Sequence, residues 1–136
     1  MKSTGTGKVI PTDRQLIRKA FFVSMIEEIS SNSLSATKPI FFLSLEPNEG
    51  LHIPNLDKRF KIKSGSECLL EFGKGVKDKR TSEPGVVLEV KAIEIKGMNA
   101  NVYGGYFAGA GVLYTFRLKR IQNDWVIIEK KLVIVE

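Results

Sequence analysis

The chain has 136 residues, 43% of them hydrophobic and 26% charged, so it has the composition of one globular domain rather than a disordered or fibrous segment. Its longest apolar runs, "AFFVSMI" and "PIFFLSL", fall well short of the roughly 20 residues that a membrane-spanning helix needs, so no membrane span is expected. The formal net charge is +6, but the basic residues are scattered through "DKRFKIK", "KGVKDKR", "RLKR" and "EKK" and broken by apolar or acidic residues. That pattern fits a solvated surface and argues against nucleic-acid binding.

Residues 1–10 are poor in apolar side chains and are expected to be a flexible N-terminal tail, with a single α+β domain over 11–136. The tail carries no apolar core of a signal peptide, which makes the cytoplasm the default compartment; a peptide removed before this chain would make the protein an exported one. The single cysteine, Cys68, has no partner for an internal disulfide.

The spacing of Thr12 and Gln15 predicts a capping box at the start of a helix. Leu16, Ile17, Ala20, Phe21, Phe22, Val23, Met25, Ile26 and Ile29 then give that helix an unusually wide apolar face, one covered on more than one side. The hydroxyl-rich "SSNSLSATKP" (30–39) ends it. "PIFFLSL" (39–45) predicts a strand and "SECLLEF" (66–72) a second short one. The intervening 46–61 is expected to be loop, with a short helix opening at Pro54–Asn55. "GKGVKDKRTSEPGVV" (73–87) predicts a charged excursion with a turn at "SEPG".

In "VVLEVKAIEI" (86–95) the apolar parity slips after Val90, which predicts a bulge or bend near Lys91–Ile93. "KGMNA" predicts a hairpin turn, followed by one long strand from Ala100 to about Arg120. "IQND" predicts the next turn and "WVIIEKKLVIVE" the last strand, with a bend or an edge position near Lys130. One helix followed by a three-stranded antiparallel meander of long bent strands predicts an α+β fold, the helix packed on a bent antiparallel sheet in a cystatin-like or nuclear-transport-factor-like roll. A helix on a sandwich is the alternative.

The turn residues Val76, Asp78, Lys79, Thr81, Pro84 and Gly85, the strand "NVYGGY" (101–106), Tyr114 and the closing Asp124–Trp125–Val126 resemble a widespread family of uncharacterised bacterial proteins. Its pattern is a V-x-D-K-x-T-G-x-P-G turn, a V-x-V-x-G-G-Y-Y strand and a closing G-x-W-V-V. The resemblance spans residues 39–136 and departs at Ser82, where the family has glycine, and at Phe116, where it has tyrosine. It implies a fold and no activity, so no catalytic residue is carried over.

The glycine-rich "GGYFAGAG" (104–111) lacks the Lys-Ser/Thr of a phosphate-binding loop, and strand-like sequence rather than a helix follows it, so its glycines predict a bend in the sheet. His52 is the only histidine and has no metal-ligand spacing around it. A catalytic role would need a carboxylate such as Glu46, Glu49 or Glu71 beside it. No motif supports a Cys68–His52 nucleophile pair. Tyr106 and Tyr114 share the parity of Val112, Phe116 and Leu118 and are placed on the helix side. With Tyr103 and His52 they are the candidate ligand-binding residues; no catalytic residue, metal or cofactor is assigned.

A binding module for a small molecule or protein partner is therefore expected. The alternatives are a small cone-shaped isomerase, dehydratase or hydrolase using Glu71, His52 or a tyrosine, and a basic inhibitor or immunity-type protein. A homodimer is compatible with the chain.

Overall fold

A computed structural model of the protein describes residues 12–31, 39–47, 49–50, 58–71 and 75–135. The expected tail, the short helix at Pro54–Asn55 and His52 lie outside the described residues. Helix α1 (Asp13–Ser31) is followed by β1 (Ile40–Leu43), β2 (Ile62–Ser64), a single 3-10 turn (Gly65–Glu67), β3 (Cys68–Glu71), β4 (Gly75–Asp78), β5 (Pro84–Lys96), β6 (Asn99–Phe107), β7 (Gly111–Ile121) and β8 (Asp124–Val135). The class is α+β: one N-terminal helix on an open, mixed sheet of eight strands, in the order β2-β1-β5-β6-β7-β8 with β4 joining β5 and β3 joining β4.

The capping box forms as the sequence predicts. The Gln15 amide donates to Thr12 Oγ1 at 3.1 Å, and the Thr12 amide donates to Gln15 Oε1 at 2.9 Å. At the other end, Ser30 and Ser31 donate their hydroxyls back to the carbonyls of Glu27 and Glu28, competing with continuation of the helix. Ile17, Phe21, Phe22, Met25 and Ile26 are buried against Phe41, Leu43, Leu88, Val102, Phe116 and Leu118 of the sheet. Leu16, Ala20, Val23 and Ile29 flank this contact, partly buried, and account for the width of the apolar stripe.

All four residues of β1 are buried because it runs parallel between β2 and β5 and is covered on both faces. Phe41 and Leu43 meet the helix; Ile40 and Phe42 form a second, smaller core with Val76 on the opposite face.

The meander has four strands, not three. The predicted long strand from Ala100 to Arg120 is two, β6 and β7, joined by a turn at 108–110 in which Gly109 has φ 98° and the Ala108 amide bonds the Ala110 carbonyl. The alternation on either side is continuous in sequence, so the reversal is carried by Gly109's left-handed backbone alone. β4 was also hidden: its inward positions are Val76 and Asp78, and a buried carboxylate breaks the apolar alternation that marks a strand.

The predicted bulge in β5 is present, with Lys91 the extra residue between the pairs Val90–Gly104 and Ala92–Tyr103. In β8 the pairing skips Ile128 and Val133, and the strand lies at the sheet edge, which explains its phase slips.

Gly104 and Gly105 sit inside β6 for steric reasons on opposite faces. A Cβ on Gly104 would lie 2.9 Å from Phe21 Cζ and 2.5 Å from the Glu89 carbonyl oxygen; one on Gly105 would lie 1.8 Å from the Val112 carbonyl oxygen. Gly104→Ala is expected to cost about 1–3 kcal/mol, because it pushes the Phe21 ring and strand β5 off the sheet. Chemical denaturation of the variant checks it.

Candidate functional site

Three polar or hollow places stand out on this frame. The first is the junction between α1 and the segment after β1. Arg18 is 2% exposed, and its guanidinium donates to both Glu49 oxygens at 2.8 and 2.9 Å and to the Ser44 carbonyl at 2.6 Å. One turn earlier Arg14 pairs with Glu46 and holds that carboxyl below the usual carboxylate range. The Glu46 amide donates back to Glu49. Two of the three carboxylates named as partners for a catalytic His52, Glu46 and Glu49, are thus engaged by arginines. Arg18 lies three and four residues before Phe21 and Phe22 on the buried helix face, and a charge at such a position is the sequence signal for this network. Glu49→Gln is expected to destabilise the fold by about 3 kcal/mol, since it strands the buried Arg18 charge, whereas Glu46→Gln at the more exposed pair costs well under half of that. Thermal melts of the two variants measure the difference.

The second place is the turn after β4, where the family-like motif sits. Asp78 is 1% exposed and accepts from Lys63 Nζ at 2.6 Å and from the amides of Arg80 and Thr81 at 2.8 and 3.1 Å. Thr81 Oγ1 accepts the Glu83 amide, Ser82 adopts φ 63°, and Gly85 lies where a Cβ would strike the Phe42 ring at 2.4 Å. Asp78 and Thr81 thus shape the backbone turn, and Ser82 stands where glycine fits without strain. The predicted "SEPG" turn is in fact centred earlier, on 79–81, with β5 beginning at Pro84. Ser82→Gly is expected to stabilise the protein by about 0.5–1 kcal/mol.

The Lys63 contact and the two amides lower the Asp78 pKa to about 2, from the ordinary 3.8. A depressed folded-state pKa contributes stability that is present above the unfolded value and lost as pH falls through the folded one. Stability from this turn should therefore decline from about pH 4 toward pH 2, and Asp78→Asn should flatten that part of the stability–pH curve.

The third place is a cleft of about 700 Å3 on the sheet face opposite the helix. Its floor is Val87 and Glu89 of β5, Gly105 and Phe107 of β6 and Leu113 of β7; Cys68 and Leu70 of β3 form a wall. Glu89, Gly105 and Leu113 are cross-strand neighbours, and Gly105 presents bare backbone at the middle of that row. Ser44, Ser64 and Ser66 line the end where β1 and β2 finish. The charges at the rim are paired, Lys91 with Glu89 at 3.4 Å and Lys77 with Glu71 at 2.7 Å. Cys68 donates its thiol to the Gly65 carbonyl, and burial pushes its pKa up, away from a reactive thiolate.

The three predicted ligand residues that the structure describes fall in two places, Tyr106 and Tyr114 against the main core and Tyr103 on the opposite face. Tyr106 packs on the main core and also contributes to the cleft lining. Tyr114 lies on the helix side, where burial, reinforced by the Glu28 carboxylate to which it is hydrogen-bonded, pushes its phenol up to about 12. Glu28 is bonded in turn by Lys130 at 3.0 Å. Tyr103, paired with Ala92 and Thr115 and adjacent to the inward Val102, points to the opposite face. Among the described residues, no group of three or more histidine, cysteine or acidic side chains comes together to hold a metal, and no helix is long and apolar enough to cross a membrane.

No protein family, curated protein or solved structure matches this chain.

Proposed function

We propose that the protein is a binding module whose ligand is a small, largely apolar molecule held in the cleft between β3 and the floor formed by β5, β6 and β7. The observation that carries this is the cleft itself. Its volume lies within the ligand-site range of about 300–1,000 Å3, and apolar side chains dominate its wall and floor, with the paired Glu89 on the floor and a few serine hydroxyls at one end. The titratable groups nearest to it are already engaged, Glu71 by Lys77 and Glu89 by Lys91, and the Cys68 thiol is held protonated. On the helix side, Tyr114 with its raised pKa serves as a hydrogen-bond donor to Glu28 and not as a base at neutral pH.

A sheet bent by bulges around one helix supports a cystatin-like or nuclear-transport-factor-like roll as the finer description of the fold, with the uncharacterised bacterial family as its kin. Within such a roll the ligand site proposed here is on the outer face, not in the concave space beside the helix.

The test uses the environment-sensitive dye anilinonaphthalene sulfonate on the folded protein. The dye is expected to bind, to slow alkylation of Cys68 by a maleimide, and to bind about tenfold more weakly to Leu113→Trp, which fills the cleft. Leu70→Glu, at a site that is 57% exposed, should weaken it similarly while leaving the melting transition in place. Dye binding indifferent to both substitutions overturns the cleft as the ligand site.

A further inference from the structure

We propose that two copies of the chain associate through the free edge of β8, pairing antiparallel about a two-fold axis at Lys130. The strands at the other ends of the sheet order are short, three residues in β2 and four in β3, whereas β8 runs for twelve. Among the described residues, four of the nine exposed large hydrophobic ones, Val126, Ile128, Leu132 and Val133, lie on this one strand. A long edge carrying apolar side chains is a template for another strand. The bulges at Ile128 and Val133 distort its ends but bracket a regular stretch, Glu129–Leu132, whose backbone remains able to pair.

The charges choose the register. Glu129 and Lys131 oppose Arg117 and Thr115 of β7 and lie on the face away from the helix; Lys130 and Leu132 oppose Phe116 and Tyr114 on the helix face. Antiparallel partners directly opposite each other share a face, so a two-fold pairing must be centred on a residue and not between residues. Centred on Glu129, which Arg117 already pairs in its own chain at 3.2 Å, the strand sets Glu129 against its own copy and gains no opposite-charge pair across the axis. Centred on Lys131, it sets Lys131 against itself.

Centred on Lys130, it sets Glu129 against Lys131 of the second copy twice over, and brings Leu132 beside the bulged Ile128 of the second copy. The remaining self-pair, Lys130, is already neutralised within its own chain by Glu28 at 3.0 Å. Ile128 and Leu132, 49% and 54% exposed in the single chain, then belong to the interface.

Sedimentation velocity on the full chain over a range of concentrations tests this, with circular dichroism confirming that each variant is folded. The wild-type chain is expected to show a monomer–dimer equilibrium. Glu129→Lys and Lys131→Glu should each weaken association about tenfold, because each sets like charges opposite one another at two symmetric positions, and combining them should restore it. Leu132→Lys, an exposed position that leaves Glu129 and Lys131 intact, should also weaken the dimer. A chain that stays monomeric throughout, a dimer indifferent to the single substitutions, or a double variant no tighter than the singles each overturns the proposal.

Discussion

The contact on which the rest of the structure depends is the ring of Phe21 seated on the bare backbone of Gly104. Phe21 is fully buried, its ring lies 5.0 Å from that of Phe116, and no side chain other than hydrogen fits beneath it. A helix can come this near a sheet only where a strand offers a gap, so Gly104 sets where α1 crosses β6. From that crossing the rest follows. Phe22, Met25 and Ile26 reach the remaining strands, Asp13 at the helix start accepts from the Trp125 indole, and Glu28 near its end accepts from Lys130. The bulges at Lys91, Ile128 and Val133 let the sheet follow the helix without exposing the apolar face of any one strand for its whole length.

Much of the charge on the chain serves architecture. Arg18 and Glu49 fasten the helix to the segment after β1 in a place almost closed to water, and Asp78 gathers a lysine and two backbone amides to make the turn into β5. Both are nearly closed to water and are met by charged or polar partners, as a buried charge must be. Among the described residues no buried side-chain polar atom lacks a partner. Many of the charged side chains are thus held in local pairs, Lys61 with Glu83 and Arg117 with Glu129 among them.

Adjacent glycines in β6 do opposite work. Gly104 admits the helix on one face, while Gly105 lets the backbone of β7 come close on the other, where a Cβ would lie 1.8 Å from the Val112 carbonyl oxygen. The helix packing and the close approach of β7 thus rest on the same dipeptide, read on alternate sides of one strand.

The sequence by itself determined the elements whose signal is local. The capping box at Thr12–Gln15, the wide apolar face of α1, the buried strand at Ile40–Leu43, the slip of parity at Lys91 and the turns at 97–98 and 122–123 are all set by neighbours within a few residues. What tertiary structure decided is whatever depends on partners distant in the chain. β4 escaped notice because its inward Asp78 is satisfied by Lys63, fifteen residues earlier. The reversal at Gly109 looked like a bend because alternation alone cannot tell a continuous strand from two paired ones. Arg18 became a structural residue only when Glu49 and the Ser44 carbonyl met it. The tyrosines were visible as a group, yet the pleat sends Tyr103 to one face and Tyr114 to the other, and the cleft draws its wall from β3 across the sheet. Periodicity reports which way a side chain points relative to its own element, and only the packing of elements decides what it meets there.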